Sequence, residues 1–458
     1  MQGTEQRQSD FHKLIKKLAN SQKVEALKGL LKELDPVEIA NSFLHLKLKH
    51  RLTVIGLLDV KKASEVISEL QEFEPILEEI VRQMTNQELG HLIEEMDMDD
   101  AADVVGLLDD NRANIVLDEL PGEDREGITS LLKYDDESAG GIMDPQVMAV
   151  KKDISVAQAS AAIKTLSKSK DIEEFYVIYV VDEYNHLIGN VTLPQLFLAE
   201  RNMLIKNIMD PDVIAVDVDL DQEKVARIAK EYDLVSVPVI DKHLKLVGRI
   251  TSDDLMDVMF EEFTEDLGQV AGTGREEVLE KSIYKASRDR LPWLILGLIG
   301  GGLAAWVMSG YETSIAAIPE VAYFIPVVAA LGGNIAIQSS SLVVRGLATG
   351  ELRTIDLFNR AWKEIRIGML NGVVCSFLLF WLAWWITGSM LIGLTTSGAL
   401  LVVVLLAAIV GTIVPMLLKR GSMDPAIATG PFITTTNDIV GIIIYLALTI
   451  SVYNSQLG

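Results

Sequence analysis

The sequence predicts a multidomain membrane protein: an all-α superhelical N-terminal domain, an α/β domain made of two repeats, and a membrane domain of five α-helices. Three observations lead to this fold class. The whole net charge of −24 belongs to residues 1–290, because residues 291–458 carry equal numbers of acidic and basic side chains. Two internal duplications lie in the acidic part, and long charge-free runs fill the neutral part. We therefore expect an acidic, water-exposed region followed by a membrane region.

The composition excludes several classes of protein. An acidic region is a poor partner for nucleic acid, whose phosphates require a basic surface. The single cysteine, Cys375, excludes a disulfide framework, and the six histidines lack the spacing of a zinc site. The sequence has neither the glycine loop of a nucleotide hydrolase nor a catalytic constellation, so we expect no enzyme. The polar first residues predict no cleaved secretion signal.

Residues 1–137 alternate apolar and acidic residues with helical periodicity. The stretch EMDMDDAADVVGLL, which begins at Glu95, returns 24 residues later as ELPGEDREGITSLL. Repeats of this length predict short helices stacked in a superhelical array, with leucines such as Leu89 and Leu92 in the core.

Residues 138–262 contain a second duplication. GGIMDPQVMAV from Gly140 returns as KNIMDPDVIAV from Lys206, and VVDEYNHLIGNVTLPQL from Val180 returns as VIDKHLKLVGRITSDDL from Val239. Each copy predicts a strand, a helix, a hairpin and a closing helix. The pattern resembles a tandem pair of CBS domains.

The CBS resemblance implies a sensor of small ligands, often adenosine nucleotides. A ribose-binding pattern, Thr-x-x-Asp, is present in the second copy at Thr251 and Asp254. The first copy has Thr192 followed by Gln195, which departs from the pattern. The resemblance therefore makes ATP a candidate ligand of the second copy.

The neutral part, residues 291–458, predicts five membrane spans. Residues 291–311 and 321–344 are charge-free and long enough to cross a bilayer. Residues 367–418 are also charge-free and predict two spans joined near 387–397, and residues 425–458 predict a fifth. The basic clusters precede the first span, separate the second from the third and follow the fourth. This distribution predicts a multi-pass protein of the cell (inner) membrane with a cytoplasmic N-terminus and an external C-terminus.

Residues 263–290 connect the two parts. We predict that they include a helix with Leu279, Ile283 and Ala286 on one face, lying against the cytoplasmic mouth of the membrane domain.

Polar residues inside the spans mark a candidate ion path. Asn334 follows two glycines in the second span, and Asp438 is the only charge of the fifth. A carboxylate at the centre of a membrane helix costs about 2.5–3.5 kcal/mol on insertion scales, so it requires a compensating partner. No Lys or Arg lies in any span, which favours a cation path; carboxylate and amide oxygens suit hard cations such as Mg²⁺ or Ca²⁺. A protonated aspartate that hydrogen-bonds between helices is the alternative.

Taken in order, SAGGIMDP, YDLVSVPVID, EEFTED, RLPWL, GGNIAIQS and DPAIATGPFITTTNDIVG resemble the MgtE family of magnesium channels over nearly the whole chain. The resemblance implies a homodimer in the lipid membrane, with five membrane helices per protomer and a pore at the dimer axis. It implies that Asp438 holds hydrated Mg²⁺, with Asn334 and the backbone near Thr434 beside it. The family varies at the position of Gly430, where this chain offers no side-chain ligand.

The resemblance also implies acidic residues at which cytoplasmic Mg²⁺ binds. Crowded carboxylates repel one another, and bound Mg²⁺ offsets this repulsion and favours a compact arrangement. The alternative is a solvated anionic surface. The implied sensor residues are Asp99, Asp103, Asp221, Glu223, Asp233, Asp254, Asp257, Glu262, Glu265 and Asp266.

The sequence thus predicts a Mg²⁺-selective channel for magnesium uptake that cytoplasmic Mg²⁺ closes. Two other interpretations remain open. One is an ion-coupled transporter of divalent cations such as Mg²⁺ and Co²⁺. The other is a nucleotide-sensing regulatory membrane protein without transport activity.

Overall fold

The structure, a computed structural model, describes residues 11–18, 23–169, 175–271, 283–349, 351–352, 357–421, 423–426 and 430–457. The chain forms two compact units, Met1–Glu262 and Phe263–Gly458.

The first half of unit one consists of short helices, as the periodicity predicted. Their bounds are α1 (Val24–Glu33), α2 (Pro36–Phe43), α3 (Leu48–Ile55), α4 (Val60–Ser68), α5 (Glu74–Val81), α6 (Asn86–Ile93), α7 (Met98–Gly106), α8 (Asp110–Glu119) and α9 (Gly122–Leu131). Alternate helices pack together: α2 on α4, α4 on α6, α6 on α8, α3 on α5, and α7 on α9. This alternation is the predicted superhelical array, and the 24-residue repeat corresponds to α7 and α9.

Polar caps and an apolar interior explain these short helices. Thr85 Oγ1 accepts a hydrogen bond from Glu88 N at 3.2 Å, and Glu88 Oε2 accepts one from Thr85 N at 2.8 Å, which forms a capping box at the start of α6. Asp59 and Asp109 cap α4 and α8 in the same region. The apolar faces, with side chains such as Phe43, bury a continuous core.

The second half of unit one consists of two equivalent α/β repeats. The first is β1 (Ala149–Lys151), α10 (Val156–Ser169), β2 (Val177–Val181), β3 (Leu187–Thr192) and α11 (Leu193–Leu198); the second is β4 (Val216–Asp217), α12 (Gln222–Glu231), β5 (Val237–Ile240), β6 (Leu246–Ile250) and α13 (Ser252–Ala271). In each repeat the first strand pairs parallel with the second, which pairs antiparallel with the third. This is the predicted strand, helix, hairpin and closing helix.

The duplicated IMDP motifs pack crosswise between the repeats. Asp144, in the first motif, exchanges backbone hydrogen bonds of 2.8 and 2.9 Å with Arg249 on β6. Asp210, in the second motif, exchanges bonds of 2.8 and 2.9 Å with Asn190 on β3. A methyl group on Gly189 would lie 2.7 Å from the Asp210 carbonyl oxygen, so glycine is required for this close approach.

Unit two contains the membrane helices. They are α14 (Ile283–Ser309), a short α15 (Glu312–Ala317), α16 (Ile325–Ala348), α17 (Leu357–Thr387), α18 (Met390–Arg420) and α19 (Pro431–Leu457). In the described residues, five helices are long and apolar enough to cross a membrane, which confirms the predicted number. α18 packs against α16, α17 and α19, and α19 also packs against α14 and α16.

Two helix starts differ from the predicted bounds. α14 already includes residues 283–290, so this part of the connecting segment is continuous with the first span, while Leu279 lies outside the described residues. α18 begins at Met390 with Ser389 as its cap, and Gly388 before the cap has a φ of +67°. The Gly, Ser and Thr cluster predicted to join the two spans is therefore mostly helical. Thr395 Oγ1, for example, donates a hydrogen bond to the Leu391 carbonyl oxygen at 3.0 Å.

A buried polar contact joins α16 to α17. Arg360 Nη2 lies 2.7 Å from Glu364 Oε1, and the Ser339 hydroxyl donates a hydrogen bond to Glu364 Oε2 at 3.0 Å. The charged partners lie one turn apart near the start of α17, and Glu364 is almost fully buried. The contact compensates the Glu364 carboxylate and links α16 to α17.

Candidate functional site

The acidic residue of the fifth span, Asp438, lies beside a glycine of the second span. A methyl group on Gly333 would lie 3.7 Å from Asp438 Oδ1 and 3.4 Å from Thr434 Cγ2. Asp438 and Thr434 are one turn apart on α19, so both side chains lie against the part of α16 where Gly333 has no side chain. The structure therefore brings together two of the three predicted pore residues. Asp438 is only partly buried, so its carboxylate stays accessible.

Asn334, the third predicted pore residue, follows Gly333 on α16 and is exposed on the surface of the single chain. Gln338, one turn later, is exposed as well. Polar side chains in the middle of a membrane helix are unfavourable against lipid. This face of α16 is therefore suited to water or to another protein surface.

The start of α19 explains Gly430. Thr434 N and Thr434 Oγ1 both donate hydrogen bonds to the Gly430 carbonyl oxygen, at 3.1 and 2.9 Å. Gly430 has a φ of +65°, a left-handed conformation that glycine adopts without steric cost. The sequence indicated only that a side-chain ligand is lost at this position; the structure adds a conformational reason for glycine.

A second cluster of acidic residues lies between α7 and the CBS repeats. Burial raises the pKa of the Asp99 carboxyl well above its ordinary value, and the charges of Asp254 and Asp100 raise it further. Burial likewise raises the pKa of Asp103 to about 8, with added repulsion from Asp100 and Asp136, although part of its side chain reaches solvent. The structure thus brings Asp99, Asp103 and Asp254 into one acidic cleft.

Two further carboxylates of this acidic cleft were not among the predicted sensor residues. Burial raises the pKa of Asp100 to about 6, against a hydrogen bond from Ser68 that lowers it. Burial raises the pKa of Asp144 to about 6 as well, while the Arg249 guanidinium close by lowers it. Both residues lie in repeated motifs, MDDAAD and IMDP, but only the fold shows that these motifs meet.

The other predicted sensor residues lie at the two ends of α12 and on α13. Asp221 caps α12, and Gln222 beside it donates a hydrogen bond to Glu262 Oε1 at 2.8 Å, so Asp221, Glu223 and Glu262 lie in one neighbourhood. Asp233 lies past the far end of α12, about 15 Å away along the helix.

Asp257 and Glu265 lie on α13, and the side chain of Asp266 lies outside the described residues. In the described part of the chain, no group of three or more His, Cys, Asp or Glu side chains is arranged to hold a metal ion.

The predicted ribose pattern forms helix caps in this structure. The Thr251 backbone N donates a hydrogen bond to Asp254 Oδ2 at 2.9 Å, and the Thr251 hydroxyl donates to the same oxygen. Thr192 and Gln195 form the matching capping box before α11 in the first repeat. The threonine therefore has a structural role in both copies, with or without a nucleotide.

Three family models match the chain. A model described as the MgtE intracellular N domain matches residues 34–137, a CBS domain model matches 205–261, and the MgtE divalent cation transporter model matches 325–448. The last match includes α16, Asp438 and all of the helices between them.

Curated relatives cover almost the whole chain. The magnesium transporter MgtE of Thermus thermophilus is 32% identical over 428 residues, which cover 92% of this chain and 94% of that protein. The magnesium transporter MgtE of Bacillus subtilis is 29% identical, covering 93% and 94%. A crystal structure of the cytosolic domain of the Mg²⁺ channel MgtE in complex with ATP matches 54% of this chain and 99% of that chain, with 32% identity and a TM-score of 0.50.

The family assignment agrees with the fold. A large N-terminal part matches a cytosolic domain, and five membrane helices follow it. This is the predicted location, a multi-pass membrane protein with a large cytosolic N-terminal region. The chain belongs to the MgtE family of divalent cation transporters.

Proposed function

We propose that the chain is a Mg²⁺-selective channel for magnesium uptake and that cytoplasmic Mg²⁺ closes it. The observation that carries the proposal is the contact of Asp438 and Thr434 with Gly333, inside the segment that matches the divalent cation transporter model. The relatives named as magnesium transporters support Mg²⁺ as the transported ion.

The chemistry of this contact suits a hydrated cation. Mg²⁺ loses its water reluctantly, so a site that binds it through its water needs oxygen acceptors and space more than a close cage. Gly333 leaves space in front of Asp438 because it has no side chain. A carboxylate in this position attracts the cation, and the ion in turn compensates the charge within the membrane.

A homodimer with the path at its axis accounts for the exposed polar face of α16. Asn334 and Gln338 are exposed in the single chain, although they lie within a span. In the proposed dimer this face meets a second copy across a water-filled path, which Asn334 lines together with Asp438 and the backbone near Thr434.

The basic residues indicate the orientation of the chain in the membrane, and the charge of the ion determines the driving force for its entry. Basic residues lie near the start of α14, the end of α16, the start of α17 and the end of α18. This distribution supports a cytoplasmic N-terminus and an external C-terminus. A divalent ion that enters an interior held at −100 mV gains roughly 4.6 kcal/mol, so passive inward flow is sufficient.

The acidic cleft supports regulation by Mg²⁺. Asp99, Asp103 and Asp254 are crowded and partly withdrawn from water, so their charges oppose a compact unit one. In the proposed mechanism cytoplasmic Mg²⁺ neutralises them and also binds at the other predicted sensor acids. The compact form that results holds the channel closed.

ATP is the proposed nucleotide ligand of the second CBS repeat. The related cytosolic domain crystallised with ATP supports it, together with Thr251 at the start of α13. A calorimetric titration of the purified full-length chain with ATP tests this proposal, and the absence of binding heat at millimolar ATP would contradict it.

Replacement of Asp438 tests the channel. We expect Asp438→Ala and Asp438→Asn to abolish Mg²⁺ uptake in cells that lack other Mg²⁺ importers, because the only charged side chain of the fifth span is lost. Gly302→Ala on α14 is a matched control, since its methyl group meets no described atom within 4 Å. Normal uptake by a well-expressed Asp438→Ala variant would contradict the proposed path.

A further inference from the structure

Asn437, the neighbour of Asp438, has an unusual environment. Its side chain is 4% exposed, and its Nδ2 has no hydrogen-bond partner among the described residues. A buried amide without a partner costs free energy, so an apolar residue of similar size would be expected at a position that serves packing alone.

The amide lies against a glycine of α16. A methyl group on Gly332 would lie 2.6 Å from Asn437 Nδ2 and 2.9 Å from Val403 Cγ1 on α18. One turn further along α19, a methyl group on Gly441 would also approach Val403 Cγ1, at 3.3 Å. Three helices therefore meet at this point, with the asparagine amide directly on the backbone of α16.

The contact of Asn437 and the direction of Asp438 depend on the same rotation of α19. Successive residues on a helix are rotated by about 100° around its axis. In the rotation that sets Asn437 on Gly332, Asp438 lies beside Gly333. On the other side of α19, Thr435 packs directly on Gly300 of α14, so the rotation of the helix is held from two directions.

We propose that Asn437 is a positioning residue: its contact with Gly332 fixes the rotation of α19 and so aims the Asp438 carboxylate into the ion path. The proposal rests on the proposed function of Asp438. It adds a specificity role, because a small rotation changes the distance between the carboxylate and the hydrated ion.

Paired substitutions test the contact. Gly332→Ala should lower Mg²⁺ flux in liposomes by about tenfold or more, because the methyl group displaces the amide. Alanine is a better helix former than glycine, so the loss cannot come from helix propensity. Asn437→Ala alone should also lower the flux, because it removes the amide that positions α19. The two substitutions disrupt one contact, so the flux of the Gly332→Ala, Asn437→Ala double variant should be at least about threefold higher than the product of the two single losses predicts.

Ion preference separates positioning from folding. We expect Gly332→Ala to change the ratio of Mg²⁺ flux to Co²⁺ flux. A variant that is only less well folded would lower both fluxes by the same factor and leave their ratio unchanged. Gly302→Ala again serves as the control. Losses that simply multiply in the double variant, or an unchanged ion ratio, would overturn the positioning role.

Asp438→Asn, measured in parallel, distinguishes the two possible failures. Normal flux in Asp438→Asn would refute the path and the positioning role with it. If Asp438→Asn abolishes flux while Gly332→Ala transports like the unmodified chain, the path stands and only the positioning role is refuted.

Discussion

Aspartate side chains serve both proposed roles in this chain, in two different environments. Asp438 is the only charged residue of α19 and lies beside Gly333, so a cation can approach it. Asp99 and Asp103 stand among other carboxylates, so a cation there relieves repulsion. The residue type is the same in both places. An isolated carboxylate is suited to a cation that passes through the membrane, and a group of crowded carboxylates is suited to sensing a cation in the cytoplasm.

The raised pKa values predict how the stability of unit one depends on pH. The pKa of Asp103 is about 8 in the folded chain, against about 4 for an ordinary aspartate. Between these values the folded state binds more protons than the unfolded state, so the free energy of unfolding falls as pH rises. In Mg²⁺-free buffer we expect the melting temperature of unit one to be lower at pH 8 than at pH 6.

Asp99→Asn with Asp103→Asn is the matched variant for this measurement. The neutral side chains remove the titration, so the difference in melting temperature between pH 6 and pH 8 should shrink. Added Mg²⁺ should stabilise the unmodified chain more at pH 8, where protons compete less. A melting temperature that rises from pH 6 to pH 8 without Mg²⁺ would contradict this assignment of the acidic cleft.

At the scale of elements, a GxxxG spacing does not by itself show that a second helix packs on it. The GxxxG spacing at Gly368 and Gly372 marks a close contact, because methyl groups there would lie 3.1 Å from Ala408 Cβ and 2.8 Å from Leu401 Cδ1 on α18. The same spacing at Gly297 and Gly301 faces no described atom within 4 Å. The spacing identifies a smooth helix face but does not identify what packs on it.

This difference gives a prediction for helix packing. Gly372→Val should destabilise the membrane domain by about 1–3 kcal/mol, the usual cost of overpacking. Gly297→Val should change the stability little, since a Cβ atom at this position meets no described atom within 4 Å. Thermal unfolding of the two variants in the same detergent tests this, and equal losses would show that Gly372 is not a special contact.

The elements themselves were largely predictable, and the exceptions have physical reasons. The two CBS repeats followed from alternating apolar residues and a visible duplication. The start of α18 differs from the prediction because hydroxyls such as that of Thr395 donate hydrogen bonds to carbonyls of the preceding turn and so remain within a helix. Thr251 matched a ribose pattern that also describes a capping box, and sequence alone does not separate the two.

At the scale of the whole molecule, the charge distribution predicted the division of the chain into a cytosolic part and a membrane part. An acidic cytosolic part and a neutral membrane part were evident from composition. The acidic cleft was only partly predictable, because Asp144 and Asp254 approach Asp99 through contacts between segments that are distant in sequence. Their place depends on tertiary packing, which no local pattern contains.

The proposed regulation by Mg²⁺ predicts that substitutions of acidic sensor residues change the inhibition of the channel. Neutralising Glu262, Glu265 and Asp266 together should raise the cytoplasmic Mg²⁺ concentration needed for half inhibition by at least about fivefold, the lower range of allosteric coupling. Patch recordings with defined internal Mg²⁺ measure this. Glu25→Gln with Glu33→Gln, on the exposed surface of α1, is the control. Unchanged inhibition in the triple variant would remove these residues from the sensor.

Flux through the purified chain in liposomes, at a clamped membrane potential and without proton or sodium gradients, is the decisive test of a Mg²⁺ channel. Mg²⁺ entry should increase with inside-negative potential and disappear in Asp438→Asn. Equal entry in Asp438→Asn, or entry that requires a proton or sodium gradient, would contradict the proposed channel.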